Sequence, residues 1–157
     1  MLAEKKQEFT RRISQANSTD MIVVIYDITL EYLEEAGESI IANDNAALSK
    51  ATIQIRQCIN ELIGSLNYDY SPSGELLSLY IYCSKRLVAM QLHKDAVALE
   101  EIKNIIIRLR DAYAQIAPIN SDGPVMSNSQ SVYAGLTYGK GSLNEDVIGS
   151  GNRGFLA

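Results

Sequence analysis

Between Ser18 and Ile41 the chain places apolar residues on two helical faces at once, and a helix with two apolar faces needs two covers. Ser18, Thr19 and Asp20 are N-cap residue types standing just before an apolar run, so the sequence predicts a helix over about Asp20 to Ala42. At 100° per residue, Met21, Val24, Ile25, Ile28, Tyr32 and Ala36 share one face. Ile22, Tyr26, Leu33 and Ile40 share a second. Asp20, Asp27, Glu31, Glu34 and Glu38 fall on what remains and read as a solvated acidic face.

Three more periodic segments follow. Asn43-Asp44-Asn45 is a turn, and Leu48, Ala51, Thr52, Ile55, Cys58, Ile59, Leu62, Ile63 and Leu66 give one broad stripe on a helix from Asn45 to about Asn67, with Ile53 on the opposite side. Ser71 can cap the next helix with Pro72 at its first position. That third helix, running to about His93, repeats the doubled pattern. Leu76, Leu79, Tyr80, Cys83, Leu87 and Met90 form the stripe expected in a core; Leu77, Ile81, Val88 and Leu92 form a second. The fourth helix runs from Asp95 to about Ala117, carries Ala98, Ile102, Ile105, Ile106, Leu109, Ala112, Tyr113 and Ile116 on one side, and stops at Pro118. Four helices of this length with short connections and no strand pattern predict an all-α, antiparallel up-down-up-down four-helix bundle over 18–117.

The flanks differ from the bundle. Residues 1–17 are charged and read as an N-terminal arm or short helix, in which Phe9 and Ile13 would sit side by side after one helical turn. Such an arm can lie in a groove and later leave it. Residues 118–157 hold seven of the ten glycines and few charges, the composition of a long irregular, mobile tail. Even so, the tail carries apolar residues, Tyr133 and Leu136 among them, that can dock on a surface.

Chemistry is constrained mainly by what is missing. A net charge of −5 disfavours nucleic acid, and no apolar run approaches the roughly 18 residues of a membrane span. The N-terminal stretch M-L-A-E-K-K-Q-E-F has no signal-peptide apolar region, which suits the cytosol, as do two cysteines lacking a C-x-x-C spacing. The single histidine, His93, has Met90 three positions before it, which removes a Glu-x-x-His di-iron motif. No phosphate loop, nucleophile elbow or zinc pattern is present, so neither an enzyme nor a cofactor or metal is expected. A helical chain without an active site, but with extra apolar stripes, suits a partner that contributes amphipathic helices.

From about Ile13 to Ile116 the chain resembles the FliS family of flagellin export chaperones. The resemblance rests on Ala16-Asn17-Ser18-Thr19-Asp20 before an apolar run closing on Ile25-Tyr26-Asp27, then Glu61-Leu62 with Leu66, Leu66-Asn67-Tyr68-Asp69, Leu79-Tyr80, Arg86-Leu87, and Leu109-Arg110-Asp111 before Tyr113. The family's usual Ser-Pro-Gly-Glu cap is absent, its closing tryptophan is Tyr113 here, and Met90-Gln91 replaces a familiar Ala-Asn. The resemblance implies a bacterial cytosolic bundle that binds the C-terminal helical segment of flagellin, keeps it from polymerising and meets the flagellar export gate. With the second stripes available to that partner, Ile22, Tyr26, Leu33, Ile40, Leu77, Ile81, Val88 and Leu92 are the candidate flagellin-binding residues. Phe9 and Ile13, or Tyr133 and Leu136, are candidates for a cover that flagellin displaces. Two alternatives stay open: a helical module that dimerises through its second stripes, and a histidine phosphotransfer domain using His93.

Overall fold

The computed structural model describes residues 1–69, 72–120 and 123–124. Among them are five α-helices, a terminal 3₁₀ turn and no strand: α1 (Ala3–Gln15), α2 (Ser18–Ile41), α3 (Asn45–Gly64), α4 (Ser73–His93), α5 (Ala96–Ile116), then the turn Ala117–Ile119.

The helix starts are set by side-chain oxygens that satisfy otherwise orphaned N–H groups. Asn17 is the true cap of α2. Its Oδ1 accepts the Asp20 N–H at 2.8 Å while Asp20 reaches back to the Asn17 N–H at 3.4 Å, a capping box, so Ser18 is already helical. Asp44 caps α3 by accepting the Ala47 N–H, and Asp95 caps α5 by accepting the Val97 and Ala98 N–H groups, each without the reciprocal bond. Pro72 is the cap residue of α4 and not its first helical residue; Ser71 lies outside the described residues. The connections α2–α3 and α4–α5 each turn on one left-handed residue, Asn43 (φ 55°) and Lys94 (φ 52°). Asparagine tolerates that conformation better than lysine does. The Lys94 ammonium donates to Asn43 Oδ1, which ties the two turns together at one end of the molecule.

Helix α2 packs on α3 and α5, α3 on α4, and α4 on α5, which closes a cycle; α1 lies outside it, against α2. The two covers that α2 needs are therefore the cycle on one side and α1 on the other. Eleven of its 24 residues are buried, including Thr29, whose hydroxyl donates to the Ile25 carbonyl one turn back. At Gly37 a Cβ would meet Leu99 Cδ2 at 3.2 Å, so the absence of a side chain lets α5 approach α2 closely.

This arrangement corrects three expectations. Tyr26 and Leu33, assigned to a partner surface, are fully buried at 0% exposure, because α2 is surrounded and its second stripe is core as well. Ile22 and Ile40 of the same stripe are half-buried and pack on the core. Leu79, assigned to the core, is 36% exposed. The buried seam of α4 is Leu76, Tyr80, Cys83, Leu87 and Met90, with alternating spacings of four and three, and Leu79 lies one residue to its side. Lastly, the acidic face of α2 is only partly solvated. Arg12 of α1 pairs with Asp27 at 2.7 Å, Lys5 of α1 pairs with Glu31 at 2.5 Å, and Arg110 of α5 reaches Asp27 at 2.8 Å. Asp27, Glu31 and Glu35 recur every four residues, so they line one flank of α2, which α1 follows.

Candidate partner-binding surfaces

Three regions hold the candidate residues, and each is built differently. The first is the outer face of α4. Residues 77, 81, 88 and 92 are spaced by four, seven and four, so they share a face; Leu77 is half-buried, while Ile81, Val88 and Leu92 are 43%, 46% and 71% exposed. Along the flank toward α5, Arg86 Nε donates to Glu101 Oε2 at 2.5 Å, the same guanidinium reaches Asp95 at 3.4 Å, and the Tyr82 hydroxyl donates to Glu101 at 3.2 Å. A charged border thus separates the apolar stripe from α5 on that flank.

The second region is the face of α2 under α1. Phe9 and Ile13 of α1 are buried in it. Their four-residue spacing puts both on the inner side of α1, while Lys5 and Arg12 reach over to Glu31 and Asp27. Arg12 also lies over the Phe9 ring at 5.7 Å, so its guanidinium is positioned by an aromatic face as well as by an anion. Tyr133 and Leu136, the other candidate cover, lie outside the described residues.

The third region is a pocket of about 310 Å³ at the end where α2 and α4 begin and α3 and α5 finish. Ile22, Leu66, Leu76, Tyr80 and Tyr113 give it an apolar floor, and Ser18, Thr19, Ser65, Asn67 and Ser73 a polar rim. Behind the floor, the Tyr26 and Tyr80 hydroxyls meet at 2.5 Å in the protein interior, and the Tyr26 and Tyr113 rings pack edge to face with centroids 5.7 Å apart. Burial pushes the Tyr80 hydroxyl up to about 12 and Tyr26 higher still, with the mutual hydrogen bond adding to the rise at Tyr26. Burial also raises Tyr113. All three stay protonated at neutral pH, so the cluster supplies a hydrogen-bonded brace across the core and no general base.

The candidate residues of α2 and α4 do not form one surface. The two helices are not packed neighbours; they face each other across the cycle and meet through Tyr26 and Tyr80. Of the α2 candidates, Tyr26 meets Tyr80 in the interior and Ile22 joins α4 residues at the end pocket. Sequence reasoning missed Leu66 and Tyr113 as partners of Ile22, since a pocket built from the ends of four helices leaves no periodic trace. The buried motif tyrosines were the available signal.

Elsewhere the chemistry is quiet. His93 is exposed at the last residue of α4. Among the described residues no group of three His, Cys, Asp or Glu side chains is placed to hold a metal, and no helix is long and apolar enough to cross a membrane. Cys58 and Cys83 are buried free thiols, raised by burial to about 12 and 11. Their reaction with a disulfide reagent should therefore proceed only through opening of the fold, with a rate that rises steeply with denaturant. Because these folded-state values exceed the ordinary 9.0 for thiols and 10.0 for tyrosine, the associated stability is complete below pH 9 and is lost as pH rises through 11 to 12. An alkaline melting series should show that loss; a flat profile to pH 12 would contradict the burial.

The family model described as "Flagellar protein FliS" matches residues 1–120. A curated relative, the flagellar secretion chaperone FliS of Bacillus subtilis (strain 168), is 24% identical over 103 residues, covering 66% of this chain and 77% of its own length. The match takes in α1 through α5 and closes at Asn120, so every described helix and all three regions fall inside it, and the chain belongs to the FliS family.

Proposed function

We propose that the protein is a non-catalytic flagellar export chaperone of the bacterial cytosol. It binds the C-terminal helical segment of flagellin, holds it monomeric and presents it to the export gate. The observation that carries this reading is the stripe Ile81, Val88 and Leu92, left open on α4 in a chain that belongs to the FliS family. Exposed apolar residues at helical spacing suit the apolar face of a partner helix. The closed cycle of α2 to α5 with short connections supports an antiparallel four-helix bundle as the rigid body behind that face. α1, docked over α2 through two buried side chains and ion pairs, supports the further reading that a second face is kept covered until flagellin arrives.

Titration with flagellin monomers tests the reading. Ile81→Ala and Val88→Ala should each weaken binding several-fold, since an interface anchor is worth more than about 1 kcal/mol. Both variants should melt within roughly 0.5 kcal/mol of the parent, as exposed positions do. Flagellin without its C-terminal segment should fail to bind, and equal binding would overturn the proposal. The stripe also suits self-association; light scattering that shows a stable dimer, dissociated by the same two substitutions, would favour that reading. Phosphate transfer to His93 from a histidine kinase would favour the third.

A further inference from the structure

We propose that the partner helix seats in the groove between α3 and α4, with α3 as a second wall, and that the helix that fits there carries carboxylates beside its apolar face. The proposal rests on the flagellin reading and adds to it a wall and a charge requirement. α3 finishes where α4 begins, so these two packed helices run in opposite directions. The flanks of each are told apart by what they already meet. On α3, Lys50, Ala51 and Gln54 line hollows shared with Glu35, so that flank turns to α2, and Glu61 continues it seven residues after Gln54. The other flank carries Ile53, Arg56 and Ile63, at spacings of three and seven, and turns to α4. On α4, Tyr82 and Arg86 meet Glu101 of α5, and Glu75 and His93 extend that flank by seven residues at either end. The flank left for α3 is Leu77, Ile81, Ser84 and Val88, spaced by four, three and four.

The α3 wall is apolar in its own right. Ile53 is 51% exposed, and Ile63 is half-buried against the core. Because the helices are opposed, Ile63 lies toward the Leu77 end of the groove and Ile53 toward the Val88 end. A helix laid in this groove covers apolar residues on both sides, where α4 alone offers one row. The charge on the walls has one sign. Lys50 and Glu61 belong to the α2 flank of α3, and Glu75 and Arg86 to the α5 flank of α4. That leaves Arg56 on one wall and Lys85, between Ile81 and Val88, beside the other. Both are exposed, and neither takes part in an ion pair among the described residues. Lys5, Arg12, Arg86, Lys103 and Arg110, by contrast, all have carboxylate partners. In a chain of net charge −5, two unpaired cations flanking an apolar groove complement an acidic-edged helix and fix its register.

Titration of the full chain with flagellin monomers at two salt concentrations tests the groove. Ile53→Ala should weaken binding several-fold, as Ile81→Ala does, although it lies on the other helix. Arg56→Glu and Lys85→Glu should each weaken binding at least about threefold at low salt. That gap should close near 1 M salt, where the screening length falls to about 3 Å. Arg108→Glu, the same charge change on exposed α5 surface, should bind like the parent. Flagellin whose C-terminal segment has Asp and Glu replaced by Asn and Gln should bind the parent and the two groove variants equally, which tests complementarity without relying on a variant's folding. If Ile53→Ala and Arg56→Glu bind like the parent while Ile81→Ala is weakened, the partner sits on α4 alone and the groove is refuted, with the flagellin reading intact. If Ile81→Ala and Val88→Ala also bind like the parent, that reading falls with it. An equal loss in Arg108→Glu, or a groove-variant loss that persists with the neutralised flagellin, overturns the charge requirement.

Discussion

Leu33→Ala is expected to lower stability by about 2–5 kcal/mol, the range for removing a fully buried leucine from a packed core. Leu79→Ala is expected to stay near 0.5 kcal/mol, because that side chain already meets solvent. The periodicity of the sequence orders the two residues the opposite way. Leu33 belongs to the stripe offered to a partner and Leu79 to the stripe assigned to the core. Urea unfolding of the two variants therefore discriminates sharply between the pattern and the packing. A mild Leu33 variant beside a crippled Leu79 variant would mean that α2 and α4 are rotated from the arrangement described.

The second large effect is expected at α1. Phe9→Ala combined with Ile13→Ala removes both buried anchors of that helix. In a cooperative core the sum would reach several kcal/mol. Here the loss is bounded by the free energy of releasing α1 alone, since α1 packs on α2 and leaves the α2–α5 cycle intact. A detached 13-residue helix is marginal in water and should melt. Exchange at residues 3–15 should become that of an unfolded segment, while α2 to α5 unfold at nearly the parental temperature. If flagellin needs the face beneath, its apparent affinity should rise by the factor that closure had cost. A single, uniformly lowered transition with no separate release of α1 would make this helix an integral part of the core.

Much of the fold was legible because period and punctuation agreed. Asp44 and Asp95 cap helices whose starts the turn residues announce, and the ends of α4 and α5 fall within a residue or two of the expected ones. Faces were harder. Apolar periodicity counts the stripes on a helix but not its neighbours. α2 has three helical neighbours, so Tyr26 and Leu33 went inward; α4 has two, so Ile81, Val88 and Leu92 stayed out. The helical arm was visible as Phe9 and Ile13. That it could lie in a groove was legible too; its seat along α2 was not, because the attraction between Arg12 and Asp27 joins residues fifteen apart that helical spacing cannot relate. The end pocket depends on four helix termini meeting, which no single window of sequence contains.

Asp27 is held by two arginines on different helices, and that double hold determines what happens when one lets go. Breaking a pair with a single buried partner strands the remaining charge, which commonly costs about 3–5 kcal/mol. Here departure of α1 takes Arg12 away into water, and Asp27 keeps Arg110. Neither ion is abandoned. The contact behaves as a spring-loaded detent and not as a bolt: firm enough to seat the first helix, yet releasable and re-engageable without rebuilding the charges beneath it.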